Sequence, residues 1–300
     1  MTKKNEAERE AGDLGRHPMA LPDLPEGANW ERAGQEANTK EGGMTHWIRF
    51  EHGGQARFGV LEGDTITAYE GDMFADPRAT TRSLALSEVK VLAPTEPSKM
   101  IALWNNFHAL AEKLGMPTPE EPLYLLKAGN SFLASGETIR RPCSYAGKVV
   151  YEGELGIVIG KECKEVAEAD IEPYIFGYTC INDVTAVDLI NKDSTFAQWV
   201  RSKSFDTFGV FGPVIATGLD PMGLSVRTVL NGQERQNYPV SDMIFPPLRL
   251  TSLISHDMTL YPGDVIACGT SVGVGSMKEP SNTIEVSIEG IGALSNVFEQ

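Results

Sequence analysis

The sequence has few of the residues that define several common protein classes. Its four cysteines are widely spaced, without a CxxC pair or a partnering histidine pattern. They are typical of reduced, mostly buried thiols, so we expect a cytoplasmic protein without a disulfide framework. No GxSxG motif occurs, no run is long and apolar enough to span a bilayer, and no apolar segment follows the N-terminal lysines. The sequence therefore predicts neither a membrane span nor a secretory signal.

Positive charge is also scarce. The chain has 41 acidic and 26 basic residues, which give a formal net charge of −15 at pH 7. This balance argues against nucleic acid and anionic membranes as partners. A small anionic substrate is still compatible with it, because a metal ion or local lysines can reverse the field at one site.

The first 43 residues contain no Val, Ile, Phe, Tyr or Cys. Such a segment cannot bury enough apolar surface to offset its ordering entropy. Residues 1–43 are therefore predicted to be a disordered or loosely docked extension. Folded sequence is expected to begin at Met44, which we interpret as a candidate translation start.

Short apolar and alternating segments dominate the rest of the chain. Residues 44–95 read as a small N-terminal β domain built on a meander with a Gly-Gly turn. Residues 96–300 continue in short strands with two predicted helices. One helix follows an Asn106 cap and stops at Gly115, and the other covers about residues 247–255. This pattern predicts a mostly β, α+β fold and not a doubly wound sheet.

Two glutamates interrupt an otherwise apolar strand, KVVYEGELGIVIGKE, at residues 148–162. Glu152 and Glu154 are two residues apart, so they share one face of a regular strand. Like charges repel and burial of an unpaired carboxylate is costly, so a positive partner is expected. The candidates are a Lys or Arg pair, a shared proton and a hard divalent cation. The alternative is an edge strand whose polar face lies in water.

Two further groups extend this candidate site. Asp183, in CINDVTAVD, would join the glutamates if the two strands are neighbours. Three carboxylates suit Mg²⁺, Mn²⁺ or Ca²⁺ better than zinc, although an Asn-Asp pair also commonly forms a turn. Lys203 lies in an aromatic and apolar segment predicted to be a loop. There it could meet a substrate carboxylate, or it could be an ordinary solvated lysine.

His108 is the histidine best placed for chemistry. It follows a strand on a predicted helix, with Glu112 one turn later on the same face. A carboxylate near an imidazole can orient the ring and raise its basicity, although an exposed surface pair is the alternative. The segment with Gly273 and Gly275 lacks the third glycine and the βαβ context of a dinucleotide loop. We interpret it as a glycine-rich loop that brings Thr270 close to a ligand.

In combination, these segments resemble the fumarylacetoacetate hydrolase superfamily. The resemblance covers about residues 97–300 and implies a mixed β-sandwich roll, often preceded by a small N-terminal β domain and usually dimeric. It rests on the order and spacing of five segments: YEGELGIVIGK (151–161), GYTCINDVTAVD (177–188), KSFDTFGVFGP (203–213), LNGQERQNYPVSDMIF (230–245) and PGDVIACGTSVGVG (262–275).

The resemblance also implies roles for individual residues. One Mg²⁺ or Mn²⁺ would be bound by the three carboxylates, Glu152, Glu154 and Asp183. The catalytic residues would be His108 and Glu112, which activate water or move a proton, and Lys203, which pairs with the oxyanion or carboxylate of the substrate. Lys127 and Thr270 would bind substrate, Thr270 through its hydroxyl or its backbone N–H.

The implied function is hydrolysis of a C–C bond in an acylpyruvate-like (2,4-dioxo) carboxylic acid, within aromatic compound catabolism. A decarboxylase, isomerase or hydratase acting on an unsaturated 2-oxo acid is the alternative, and a non-catalytic metal-binding protein is a third. Departures from the family pattern keep these alternatives open. Ala111 stands where the family has its glutamate, and Val187 and Ile190 replace an Arg and a Gln. Both replacements would make the site more apolar and change which substrate head group is tolerated.

Overall fold

A computed structural model describes residues 43–300, so the extension predicted over residues 1–43 lies essentially outside the described residues. Residues 43–300 form twenty strands and three α-helices, and none of these helices has the length and apolar character that a membrane crossing requires. The helices are α1 (His108–Leu114), α2 (Trp199–Lys203) and α3 (Pro247–Asp257). The strands are β1 (Thr45–His52), β2 (Gln55–Glu62), β3 (Thr65–Glu70), β4 (Arg78–Ala85), β5 (Lys90–Val91), β6 (Met100–Trp104), β7 (Leu123–Lys127), β8 (Phe132–Leu133), β9 (Thr138–Arg140), β10 (Val149–Tyr151), β11 (Gly153–Ile159), β12 (Ile175–Asp183), β13 (Thr185–Ala186), β14 (Gly209–Thr217), β15 (Ser225–Leu230), β16 (Gln233–Pro239), β17 (Val265–Ala267), β18 (Gly275–Ser276), β19 (Ser281–Ile288) and β20 (Gly292–Glu299).

These strands are arranged in three sheets. The largest has the order β4-β3-β2-β1-β14-β12-β11-β17-β6-β7, with β5 paired to β1 and β8 paired to β14. The others have the orders β13-β10-β18 and β16-β15-β19-β20-β9. Along β11, Leu155 and Ile157 enter one buried apolar cluster and Val158 enters another, so both faces of the large sheet are covered. The mostly β, α+β fold predicted from the sequence is confirmed.

The large sheet curls back on itself. Lys127, at the end of β7, hydrogen-bonds Asp183, at the end of β12. Four strand-to-strand steps separate β7 from β12 in the sheet order. In a flat sheet these steps would place the two strands about 19 Å apart, which is beyond the reach of a lysine side chain. The curl therefore brings β7 close to β12.

The N-terminal meander is continuous with this sheet. β1 pairs antiparallel with β14, and Thr45 lies opposite Thr217. The turn between β1 and β2 contains Gly53 and Gly54, whose φ angles of 62° and 74° suit a two-residue hairpin turn. The strands predicted there are confirmed, while the division into domains 44–95 and 96–300 stays a prediction.

Helix α1 differs from the sequence expectation at its start. Its N-cap residue is Phe107, so the predicted Asn106 cap is wrong. Asn106 is buried instead, and its side-chain amide donates to the carbonyl oxygen of Cys268 at 2.8 Å. The amide of Ala109 in the first turn donates to the Asp242 carboxylate at 3.0 Å. Tertiary hydrogen bonds have thus replaced the local cap.

Candidate metal centre

The two glutamates lie where the chain passes from one sheet to another. Tyr151 ends β10 in the three-stranded sheet, Gly153 begins β11 in the large sheet, and Glu152 lies between them. The prediction of one continuous strand is therefore wrong at Glu152. Glu154 is paired within the large sheet, opposite Ile181 of β12. The two carboxylates converge across a junction and not through simple strand alternation.

Three carboxylates meet at this junction. Glu152, Glu154 and Asp183 each offer one oxygen, and these oxygens lie within 4.8 Å of one another. Asp183 comes from the end of β12, which is paired with β11, so the condition for Asp183 to join the glutamates is met. Asn182 and Asp183 continue the strand and do not form a turn. Glu154 and Asp183 are fully buried, and Glu152 is partly buried.

Two buried lysines neutralise part of this charge. The Lys203 ammonium donates to Glu152 Oε2 at 2.6 Å and also to Asp183. Lys127 donates to the other carboxylate oxygen of Asp183. Lys203 ends helix α2, so the predicted loop is wrong at this position. Residues 43–300 thus provide a lysine partner for Glu152, one of the alternatives raised by the sequence, but none for Glu154.

Glu154 has one satisfied and one unsatisfied oxygen. Its Oε2 accepts a hydrogen bond from the Gly269 amide at 2.9 Å. Its Oε1 is buried and has no hydrogen-bond partner among residues 43–300. An unpaired buried carboxylate oxygen is costly, and hard divalent cations bind such oxygens. Three negative and two positive charges leave the cluster with one net negative charge, so the residues fit Mg²⁺ or Mn²⁺.

The pKa values reflect the same imbalance. Burial, followed by the charge of Asp183, raises the pKa of Glu154 well above its usual value. Burial also raises the pKa of Glu152 against the opposing effect of Lys203. At Asp183 burial acts in the same upward direction, but Lys127 and Lys203 outweigh it and hold the pKa below its usual value. Burial lowers the pKa of Lys127, whereas at Lys203 the carboxylates outweigh burial and raise the pKa.

Gly153, between the two glutamates, is held by three side chains. Its N–H donates to Gln236 Oε1 at 3.0 Å, and its carbonyl oxygen accepts from Thr270 Oγ1 at 2.9 Å and from the Tyr238 hydroxyl. A Cβ atom at Gly153 would lie 2.0 Å from Thr228 Oγ1, so a side chain does not fit there. These contacts, which we call the Gly153 brace, fix the backbone from which both glutamates project.

The brace corrects one expectation and adds residues that the sequence reasoning missed. The Thr270 hydroxyl donates within the protein, so its predicted substrate contact would have to come from the backbone N–H. The sequence analysis predicts no role for Gln236 or Tyr238. Both occupy inward-facing positions of β16, in alternation with exposed residues. A glutamine at an inward position must find buried partners, and this was the available signal.

His108 and Glu112 lie outside the carboxylate cluster. His108 is the first residue of α1, and both side chains are exposed. Within residues 43–300 neither side chain forms a hydrogen bond or an ion pair. The start of α1 is linked to the site through two hydrogen bonds. The Asn106 side chain donates to the carbonyl oxygen of Cys268, and the N–H of the next residue, Gly269, donates to Glu154. The catalytic roles of His108 and Glu112 stay predictions.

Comparison with known proteins identifies related sequences over nearly all of residues 43–300. The Fumarylacetoacetate (FAA) hydrolase C-terminal family model matches residues 99–299, and the Rv2993c-like, N-terminal model matches residues 45–94. Oxaloacetate tautomerase YisK of Bacillus subtilis is 34% identical, over 79% of this chain and 84% of the relative.

Two solved structures are also similar. The 2-hydroxyhepta-2,4-diene-1,7-dioate isomerase from Mycobacterium marinum is 35% identical with a TM-score of 0.77, covering 85% of this chain and 98% of that one. Maleylpyruvate hydrolase from Sphingobium sp. SYK-6, in complex with manganese(II) and pyruvate, is 27% identical with a TM-score of 0.67. That match covers 85% of this chain and 100% of the hydrolase. By name, these relatives are a tautomerase, an isomerase and a hydrolase.

Proposed function

Because this chain belongs to the fumarylacetoacetate hydrolase family, we propose that it is a divalent-metal-dependent enzyme acting on a 2-oxo acid. The observation that carries the proposal is the unpaired, buried Glu154 oxygen within a triad of carboxylates. A related hydrolase binds manganese(II) and pyruvate, which is itself a 2-oxo acid. Our leading reaction is hydrolysis of a C–C bond in an acylpyruvate-like 2,4-dioxo acid.

The carboxylates and lysines would prepare the site for such an acid. Glu152, Glu154 and Asp183 would hold Mg²⁺ or Mn²⁺, which when bound supplies Lewis-acid polarisation of the carboxylate and 2-oxo oxygens of the substrate. Lys203 keeps its proton, because the surrounding carboxylates raise its pKa despite its burial. Its ammonium would offer positive charge to the oxygen that becomes negative in the transition state.

Hydrolysis also requires a base. His108 would take a proton from water, which adds to the distal carbonyl carbon, and Glu112 would orient the ring. The bond between that carbon and C3 of the pyruvate unit then breaks. The electron pair left on C3 delocalises onto the 2-oxo oxygen until C3 is protonated, which gives a carboxylic acid and pyruvate.

A second candidate function is keto–enol tautomerisation or isomerisation of a 2-oxo acid. Two of the three relatives above are named for such reactions. These reactions need one proton carrier but no added water. Hydrolysis would use His108 as the base and Glu112 as the carboxylate that orients its ring. Among the described residues, His108 is not hydrogen-bonded to Glu112.

The test is a metal-dependent turnover assay. The purified protein is treated with chelator, Mg²⁺ or Mn²⁺ is returned, and ultraviolet loss of the enol is followed for acetylpyruvate, fumarylpyruvate and oxaloacetate. We expect activity to return with the metal and to be lost in Glu154→Gln, with Glu234→Gln as control because Glu234 is exposed on β16. Release of pyruvate from acetylpyruvate or fumarylpyruvate identifies hydrolysis, whereas release of pyruvate from oxaloacetate identifies decarboxylation. Enol loss without cleavage identifies tautomerisation. Metal-independent turnover, or no metal binding, would contradict the proposal.

A further inference from the structure

An apolar cavity of about 400 Å³ is lined by residues of β6, β7 and α2. Its volume falls within the range of small-ligand pockets, roughly 300 to 1,000 Å³. The indole rings of Trp104 and Trp199 pack together in its wall, with their centroids 5.0 Å apart. We call it the Trp104–Trp199 pocket, and its lining residues are Trp104, Pro122, Leu123, Tyr124, Leu125 and Trp199.

The pocket lies on the same face of the large sheet as the carboxylates. Ala102 of β6 is paired with Ala267 of β17. Ala267 is paired in turn with Gly156 of β11, two residues after Glu154. Trp104 is two residues beyond Ala102, so it shares this face with Glu154. Only β17 lies between them, which corresponds to about 10 Å at normal strand spacing. The residue that lies between Glu154 and Trp104 in the chain after β17 is Gly269, which has no side chain to separate them.

Two elements carry residues of both the pocket and the site. In α2, Trp199 and Lys203 are one helical turn apart and therefore lie on the same side of the helix. In β7, Leu125 lines the pocket, and Lys127, two residues later on the same face, bonds Asp183. The same two elements thus carry the pocket and the lysines proposed to receive the substrate.

The pocket offers no countercharge for a second carboxylate. None of its six lining residues carries a charge. The lysines carried by the same elements, Lys127 of β7 and Lys203 of α2, are already engaged by Asp183 and Glu152. A carboxylate placed against the two indoles would be partly desolvated and unpaired, which is costly, whereas an aromatic ring would gain packing.

We propose that the Trp104–Trp199 pocket receives the distal substituent of the substrate and selects an apolar group there, either an aryl ring or a branched alkyl chain. This inference rests on the proposed function of the carboxylate site. It assigns the substrate class: a 2-oxo acid whose reactive end binds at the carboxylates and whose far end is uncharged.

The experiment compares kcat/KM of the Mn²⁺-loaded enzyme for benzoylpyruvate and fumarylpyruvate, with acetylpyruvate as a short reference. We expect benzoylpyruvate to be preferred over fumarylpyruvate by about tenfold or more. Leu123→Lys places an ammonium in the pocket and should lower this preference at least about tenfold. Leu126→Lys is the matched control, since Leu126 is on the same strand and 40% exposed against 43% for Leu123. It faces the opposite side and should keep the wild-type ratio.

A second variant, Trp104→Ala, tests the same pocket if Leu123→Lys does not fold. Trp104→Ala should reduce kcat/KM more for benzoylpyruvate than for acetylpyruvate, because the short acid does not reach the pocket. If acetylpyruvate is turned over but fumarylpyruvate is used as well as benzoylpyruvate, the inference alone is overturned. A change in oligomeric mass in Leu123→Lys, with an unchanged substrate ratio, would mean that a second copy covers the pocket and also overturns it. Absence of metal-dependent turnover for all three acids would overturn the proposed function and the inference together.

Discussion

Lys203 Nζ lies 2.6 Å from Glu152 Oε2, and the same ammonium also bonds Asp183. One lysine at the end of α2 therefore pairs with two of the three carboxylates. Within the described part of the chain, Glu154 receives only a backbone N–H, from Gly269. The lysines thus organise Glu152 and Asp183, and Glu154 keeps a free oxygen for a cation.

Replacing Lys203 by Met should destabilise the protein strongly. The change leaves Glu152 and Asp183 with less buried countercharge, and loss of one partner of a buried pair typically costs about 3–5 kcal/mol. Urea unfolding in the presence of chelator measures this change in the free energy of unfolding. Mn²⁺ should restore part of the loss, because the cation supplies positive charge at the same carboxylates.

The matched control is Lys90→Met. Lys90 forms an ion pair with Glu137, but its side chain is 58% exposed. Exposed pairs contribute at most about 1 kcal/mol, so this variant should unfold almost like the wild type. Equal losses in both variants would contradict a special role for the buried lysine.

Gly153→Ala should disturb both stability and metal binding. Its Cβ would lie 2.0 Å from the buried Thr228 Oγ1, and such overpacking typically costs about 1–3 kcal/mol. Combining it with Thr228→Ala, which removes the clashing atom, should recover part of the loss in denaturant unfolding. Gly223→Ala is the control, since a Cβ there meets nothing within 4 Å. No recovery in the double variant would mean that Thr228 is not the obstacle.

The need of Glu152 and Glu154 for a positive partner could be predicted from the sequence because it is local. Two carboxylates in an apolar strand need a partner wherever the strand is buried. The break at Glu152 could not be predicted in this way. It depends on the brace from Gln236 and Tyr238, which are more than 80 residues away in the chain. Tertiary hydrogen bonds of this kind leave only a weak sequence signal.

Lys127 and Asn106 illustrate the same limit. Lys127 ends an apolar strand, and its contact with Asp183 exists only because the large sheet curls. Asn106 fits the local pattern of a helix cap, but its amide is used by the carbonyl of Cys268 instead. Local propensity predicted the helix correctly, and long-range packing decided what its flanking residues bond.

Gln236→Leu should weaken metal binding without unfolding the protein. Gln236 accepts from the Gly153 amide and donates to Thr270 Oγ1 at 2.8 Å, so its loss should loosen the backbone between the two glutamates. Changes to residues that orient metal ligands typically weaken affinity about 10- to 100-fold. Titration of Mn²⁺ into the apo protein measures this Kd. Gln233→Leu, at an exposed position of the same strand, should bind Mn²⁺ like the wild type.

His108→Ala should separate proton transfer from metal binding. His108 is exposed and makes no hydrogen bond to the carboxylates within residues 43–300, so the Kd for Mn²⁺ should not change. If His108 is the base, kcat for pyruvate release should fall about 10²- to 10⁴-fold. His256→Ala is the control, because this ring is also exposed but bonds the carbonyl of Ser252 in α3. Full hydrolysis by His108→Ala would exclude His108 as the base, whereas loss of cleavage with retained enol–keto exchange would show that hydrolysis needs it and tautomerisation does not.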